Sequence, residues 1–129
     1  MNKPLLCLVE DDLIMGESLC DRFLIEGFEI DWFKTAEEAS SNIAPGRYAL
    51  VISDIRLPDV SGYEFMVQLR DVIETEPLPL ILMTGFGYDP HHSIVRCSQE
   101  GLHCFLFKPF QISQLLDESK KAISEQAAV

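Results

Sequence analysis

The stretch Leu5-Leu6-Cys7-Leu8-Val9, followed at once by Glu10-Asp11-Asp12, decides the fold. An unbroken apolar run of this length has no polar face. As a strand it must be covered on both sides, which is the pattern of a parallel sheet between two helical layers. Three further runs repeat it. Ala49-Leu50-Val51-Ile52 stops at Ser53-Asp54, Leu80-Ile81-Leu82-Met83 at Thr84-Gly85, and Cys104-Phe105-Leu106-Phe107 at Lys108-Pro109. Phe28-Glu29-Ile30-Asp31-Trp32-Phe33 alternates instead, as an edge strand does.

Helical stretches separate these runs. Leu13 to Glu26 places Met15, Leu19 and Phe23 on one stripe, and Gly27 supplies a C-terminal stop. Thr35-x-x-Glu38 is a capping-box signature opening Ala36–Ile43. Tyr63–Val72 carries Phe65, Met66, Leu69 and Val72, and Pro90–Glu100 is a weaker helix closed by Gly101. Ile112, Leu115, Leu116 and Ile123 mark a last helix running to about Gln126. Five strand-then-helix repeats imply a parallel sheet with helices on both faces, because each right-handed crossover returns the chain to the same edge.

Length and charge bound the function. A chain of 129 residues fits one domain and buries enough surface to fold without disulfide or metal staples. The expected domain is 1–126, with 127–129 a tail or an expression boundary. With 21 acidic against 10 basic residues the net charge is −11, which repels phosphate backbones and speaks against direct nucleic-acid binding. Cys7, Cys20, Cys97 and Cys104 show no C-x-x-C spacing and read as reduced thiols in apolar stretches. No stretch reaches the ~18 apolar residues of a membrane span, and the run after Met1-Asn2-Lys3-Pro4 is too short for a signal peptide. A soluble cytoplasmic protein is expected.

In an open parallel sheet, ligands bind beyond the carboxyl ends of the strands where the strand order reverses. Those ends carry Glu10-Asp11-Asp12, Asp54, Thr84 and Lys108. Taken singly each has an ordinary role: Asp12 caps the helix that follows, and a lone Asp54 is a turn residue. Taken together, they place acids, a hydroxyl and an ammonium at four strand ends of one topology. If the first and third strands are neighbours, the carboxylates converge, and they stay ionised only with a cationic partner. The candidates are Lys108 and a hard divalent cation, for which Mg²⁺ is the usual choice.

These motifs resemble the receiver domain of two-component response regulators over about Pro4 to Ser124. The residues carrying the likeness are Val9-Glu10-Asp11-Asp12, Ser53-Asp54-Ile55-Arg56-Leu57-Pro58-Asp59-Val60-Ser61-Gly62, Met83-Thr84-Gly85 and Phe105-Leu106-Phe107-Lys108-Pro109-Phe110. The resemblance implies a flavodoxin-like, doubly wound α/β fold: a three-layer α/β/α arrangement with five helices and a five-stranded parallel sheet of order 2-1-3-4-5. It implies that Asp54 accepts a phosphoryl group from a histidine kinase or phosphotransfer protein. Asp11, Asp54 and the Arg56 backbone carbonyl would bind Mg²⁺, with Glu10 acting through water. Thr84, Lys108 and the Gly85 amide would contact the phosphoryl oxygens, and Phe105 would be an aromatic switch coupled to Thr84. The Lys108–Pro109 peptide would be cis. The output would lie outside this chain, with a homodimer through the face of the fourth helix, fifth strand and fifth helix.

Other readings are weaker. A receiver acting as a phosphorylation-independent interaction module would keep the fold and not need Asp54. A flavin carrier would want a Ser/Thr/Gly-rich loop where Glu10-Asp11-Asp12 stands, and an aspartyl phosphatase would want D-x-D there. His91-His92 are adjacent and would point apart on a helix, so they read as surface residues. Trp32 and Tyr88 read as packing or surface aromatics.

Overall fold

The computed structural model describes residues 3–44, 46–61, 64–65, 67–69, 78–84 and 102–127; within these, side chains 102–104 and 126–127 are left aside. The expected Pro90–Glu100 helix, Gly85, Tyr88, His91-His92, Cys97 and residues 128–129 lie outside this set, as does much of the expected Tyr63–Val72 helix, of which 64–65 and 67–69 are helical. The elements are β1 (Leu5–Val9), α1 (Leu13–Ile25), β2 (Glu29–Phe33), α2 (Ala36–Ser40), β3 (Leu50–Asp54), β4 (Leu80–Thr84), β5 (Leu102–Phe107) and α3 (Ile112–Ala127). All five strands are parallel, in the order β2-β1-β3-β4-β5. This is the doubly wound order expected from the resemblance.

Unbroken apolar runs become the buried strands because successive side chains leave the sheet on opposite faces. Leu6 and Leu8 enter one cluster with Leu19 and Phe23 of α1 and Leu115 and Leu116 of α3. Cys7 and Val9 enter the other, with Ala36 and Ala39 of α2 and with Phe65 and Leu69. Each fully buried Leu or Phe contributes roughly 1.5–3 kcal/mol. The edge strand β2, the one that alternates in sequence, is half-buried along most of its length.

The caps follow local chemistry. Asp12 Oδ1 accepts from the Ile14 and Met15 amides at 2.9 and 3.1 Å, and α1 ends before Gly27, whose φ of 94° favours glycine. Thr35 Oγ1 accepts from the Glu38 amide at 3.1 Å. The Ala36 and Glu37 amides are taken from across the fold, by Asp59 Oδ1 and Oδ2 at 3.1 and 2.9 Å. α2 stops at Ser40, short of the expected Ile43. There Ser41 Oγ and Asn42 Nδ2 donate to the Glu37 and Glu38 carbonyls at 3.0 and 2.9 Å, and these side chains satisfy the helix end. α3 reaches Ala127, just past the expected Gln126. Among the described residues no helix is long and apolar enough to cross a membrane.

Candidate functional site

Strand register assembles the site. Val9 of β1 pairs with Ser53 of β3, so Glu10 comes abreast of Asp54. Asp54 in turn pairs with Met83 of β4, and Thr84 pairs with Phe107 of β5. Backbone bonds continue the sheet past its formal ends: the Glu10 amide donates to Phe33 O at 2.9 Å, Ile55 to Met83 O at 2.8 Å and Lys108 to Thr84 O at 2.7 Å. Glu10, Asp54, Thr84 and Lys108 therefore stand together at the carboxyl ends of their strands. The Lys108–Pro109 peptide is cis.

Lys108 Nζ donates to Asp54 Oδ2 at 2.7 Å and to Glu10 Oε1 at 3.1 Å. Asp54 Oδ1 accepts from the Arg56 amide at 3.0 Å. Glu10 is fully buried, and its Oε2 has no hydrogen-bond partner among the described residues. The buried Thr84 hydroxyl lacks one in the same sense. An unpaired buried polar atom costs about 1–3 kcal/mol, so such atoms at one strand edge call for a functional reason.

The electrostatics agree with the crowding. Burial, reinforced by the Asp54 carboxylate, pushes the Glu10 carboxyl up to about 7, although Lys108 pulls it down. Burial lowers the Lys108 ammonium, but Asp54 and Glu10 outweigh it and the net shift is upward. One ammonium serves two buried acids, and exposed Asp11 adds a third. Ligand atoms of Glu10, Asp11 and Asp54 lie within 4.8 Å of one another. An all-oxygen donor set with a buried, unpartnered carboxylate oxygen fits a hard divalent cation.

Asp12 turns away from this cluster to cap α1, as its position before the helix suggested. Phe105 is half-buried against the cluster that holds Leu80 and Leu82. By alternation, Thr84 shares that face. The Phe105 ring stacks on Phe107, centroids 6.5 Å apart, and Phe107 is exposed.

Sequence reasoning missed two residues. Trp32 reads as a packing or surface aromatic and does pack against the core, but its Nε1–H also donates to the Glu10 carbonyl at 2.8 Å. Asp59 was read only as part of a motif, yet it caps α2 from the loop that follows Asp54. Slight burial would raise its carboxyl, but the Glu37 and Ala36 amides hold it below the ordinary range. Neither partnership leaves a local signal, because the partners are distant in sequence.

Comparison with known proteins identifies the family. Residues 6–120 match the model of the response regulator receiver domain, and the chain belongs to that family. It is a receiver domain of two-component response regulators, a class of regulators rather than classical enzymes. It is 31% identical over 113 residues to the swarming motility regulation protein RssB of Serratia marcescens, covering 88% of this chain and 50% of that protein. It is 30% identical over 127 residues to the C4-dicarboxylate transport transcriptional regulatory protein DctD of Rhizobium meliloti, covering 98% of this chain and 26% of that one. The chain thus spans half or less of the length of these two relatives. Among solved structures, the non-phosphorylated HemR receiver domain of Leptospira biflexa superposes with a TM-score of 0.85 at 30% identity, covering 95% of each chain.

Proposed function

We propose that the chain is a phosphorylation-controlled switch whose phosphoacceptor is Asp54. The observation that carries this reading is the Asp54 carboxylate at the end of β3, held by Lys108 at 2.7 Å beside Glu10 and Asp11. The phosphoryl group comes from a histidine kinase or phosphotransfer protein. The Asp54 oxygen forms the new bond to phosphorus as the phosphorus–nitrogen bond to the donor histidine breaks. A carboxylate approaching an anionic phosphoryl group meets repulsion, and Lys108, placed beforehand, offsets it without reorganising. Glu10, Asp11, Asp54 and the Arg56 carbonyl would hold Mg²⁺, which when bound adds further charge neutralisation.

Thr84 is the relay. Its buried hydroxyl, without a partner among the described residues, donates to a phosphoryl oxygen once one arrives. Drawing Thr84 toward Asp54 frees space on the face it shares with Phe105, and that ring turns inward. This is a two-state packing element biased by one new hydrogen bond. The readout lies with an output domain or partner beyond the domain of 1–126, and dimerisation through the fifth-strand face is one route to it. The fold, family and −11 charge suit a cytoplasmic protein that does not itself bind nucleic acid.

Intact-mass spectrometry tests the reading. With Mg²⁺ and a small phosphodonor, the chain gains one phosphoryl group, and Asp54→Asn gains none. A wild-type chain left unmodified by donors and cognate kinases alike removes the proposal. Partner binding unaffected by Asp54→Ala then favours the phosphorylation-independent interaction module.

A further inference from the structure

Trp32 is the chain's one tryptophan. It lies in β2 opposite Leu8 of β1, on the face covered by α1. Its six-membered ring rests directly over Gly16 of α1. A Cβ at Gly16 would stand 2.0 Å from Cζ2 and 2.2 Å from Cε2 of the indole, closer than atoms can approach. Glycine at this position is what lets the ring sit there. The indole is thus held by β2 through its own backbone and by α1 through contact.

What the indole holds in turn is the Glu10 peptide. β1 ends at Val9, so the Glu10 carbonyl has passed beyond the paired part of its strand. Trp32 Nε1–H donates to that carbonyl at 2.8 Å, while the Glu10 amide donates to Phe33 O at 2.9 Å. Adjacent residues of β2 therefore occupy both main-chain polar groups of Glu10. A peptide unit is planar, and the Glu10 carbonyl shares its plane with the Asp11 nitrogen. Fixing that oxygen fixes where Asp11 begins. Rotation of this plane would swing the Asp11 backbone and disturb the Glu10 carboxylate, which is fully buried against Lys108.

We propose that Trp32 is a positioning residue: its indole N–H, seated on Gly16, locks the Glu10–Asp11 peptide so that both carboxylates face a divalent cation together with Asp54. The inference rests on the proposed reading of Glu10, Asp11 and Asp54 as a Mg²⁺ site, and deepens it. Preorganisation of this kind raises affinity by removing conformations that would otherwise be lost on binding.

Trp32→Phe keeps an apolar ring and removes only the donor. Calorimetric titration with Mg²⁺ should show affinity reduced about three- to tenfold, the scale of one lost hydrogen bond. In the wild type, the Trp32 indole N–H resonance should shift during the same titration, with the calorimetric midpoint. A residue that merely packs would lower the denaturation midpoint of Trp32→Phe and leave its Mg²⁺ affinity at the wild-type value, and that result overturns the positioning role alone. A wild type that shows neither Mg²⁺ heat nor any Mg²⁺-induced change in its resonances overturns the cation site itself, and Trp32's role with it. If Trp32→Phe does not fold, an indole resonance unmoved by saturating Mg²⁺ in the wild type overturns the proposal.

Discussion

Asp31 and Asp54 make an instructive pair. Each belongs to a parallel strand, and each is paired with a basic residue. Asp31 Oδ2 accepts from Tyr48 Oη at 2.7 Å and lies 3.7 Å from Arg47 Nη2. Arg47 also covers the Tyr48 ring, 5.5 Å from its centroid. The Arg47 and Asp31 side chains are 49% and 37% exposed. Water screens that pair, a neutral hydroxyl shares the acid, and among the described residues the cluster holds no buried side-chain polar atom without a partner. At the other cluster, the Lys108, Asp54 and Glu10 side chains are 24%, 11% and 0% exposed. There two acids share one ammonium, with a carboxylate oxygen unpartnered among the described residues. The first cluster is a finished surface tie. The second carries a charge imbalance in a low-dielectric setting, which a cation or an incoming group can relieve.

The widest separation between the two clusters should come from Lys108→Ala. It leaves two acids facing each other without their cation, and breaking a buried pair of this kind costs roughly 3 kcal/mol. Urea unfolding at neutral pH without Mg²⁺ measures it, and the loss should shrink at acid pH as the Glu10 carboxyl takes up its proton. If Lys108→Ala costs no more than a change at the Asp31 cluster, the contrast collapses.

A smaller effect is the pH dependence of the Mg²⁺-free protein. Glu10 has its carboxyl raised from 4.5 to about 7 in the folded chain. Between those values the unfolded chain has released a proton that the folded chain still holds. Stability attributable to Glu10 is therefore greatest below about 4.5, falls as pH rises to about 7, and then levels. Denaturation midpoints across this range should follow that course, and Glu10→Gln should flatten it. Saturating Mg²⁺ above pH 7 should restore much of the loss.

The smallest effects belong to the Asp31 cluster. Tyr48→Phe should cost about 1 kcal/mol through one lost hydrogen bond. Arg47→Ala should leave the urea midpoint where it is. Both variants should accept a phosphoryl group as the wild type does, by intact mass. Impaired acceptance would mean that the two clusters communicate.

Much of this is legible in the sequence alone. The apolar run ending at Glu10-Asp11-Asp12 marks a doubly covered strand, and alternation in Phe28–Phe33 marks an edge; both are periodicities of a few residues. Asp12 and Thr35 announce their helices by the same local logic. The end of α2 was less legible, because Ser41 and Asn42 compete for its last carbonyls and close it early. Asp59 and Trp32 were opaque, since each acts on a backbone 22 or 23 residues away.

The sequence by itself determined the strand–helix alternation, the two-sided burial of the sheet and the chemistry standing at each strand end. These follow from spacing along the chain, which no fold can alter. Spacing alone left the strand order open and the family resemblance supplied it, but only the tertiary structure decided that Lys108 reaches Glu10 across 98 residues and Asp54 across 54, and that an indole fills the space Gly16 leaves over β2. The reason is physical: periodicity states which way a side chain points, whereas strand order and register state what it meets.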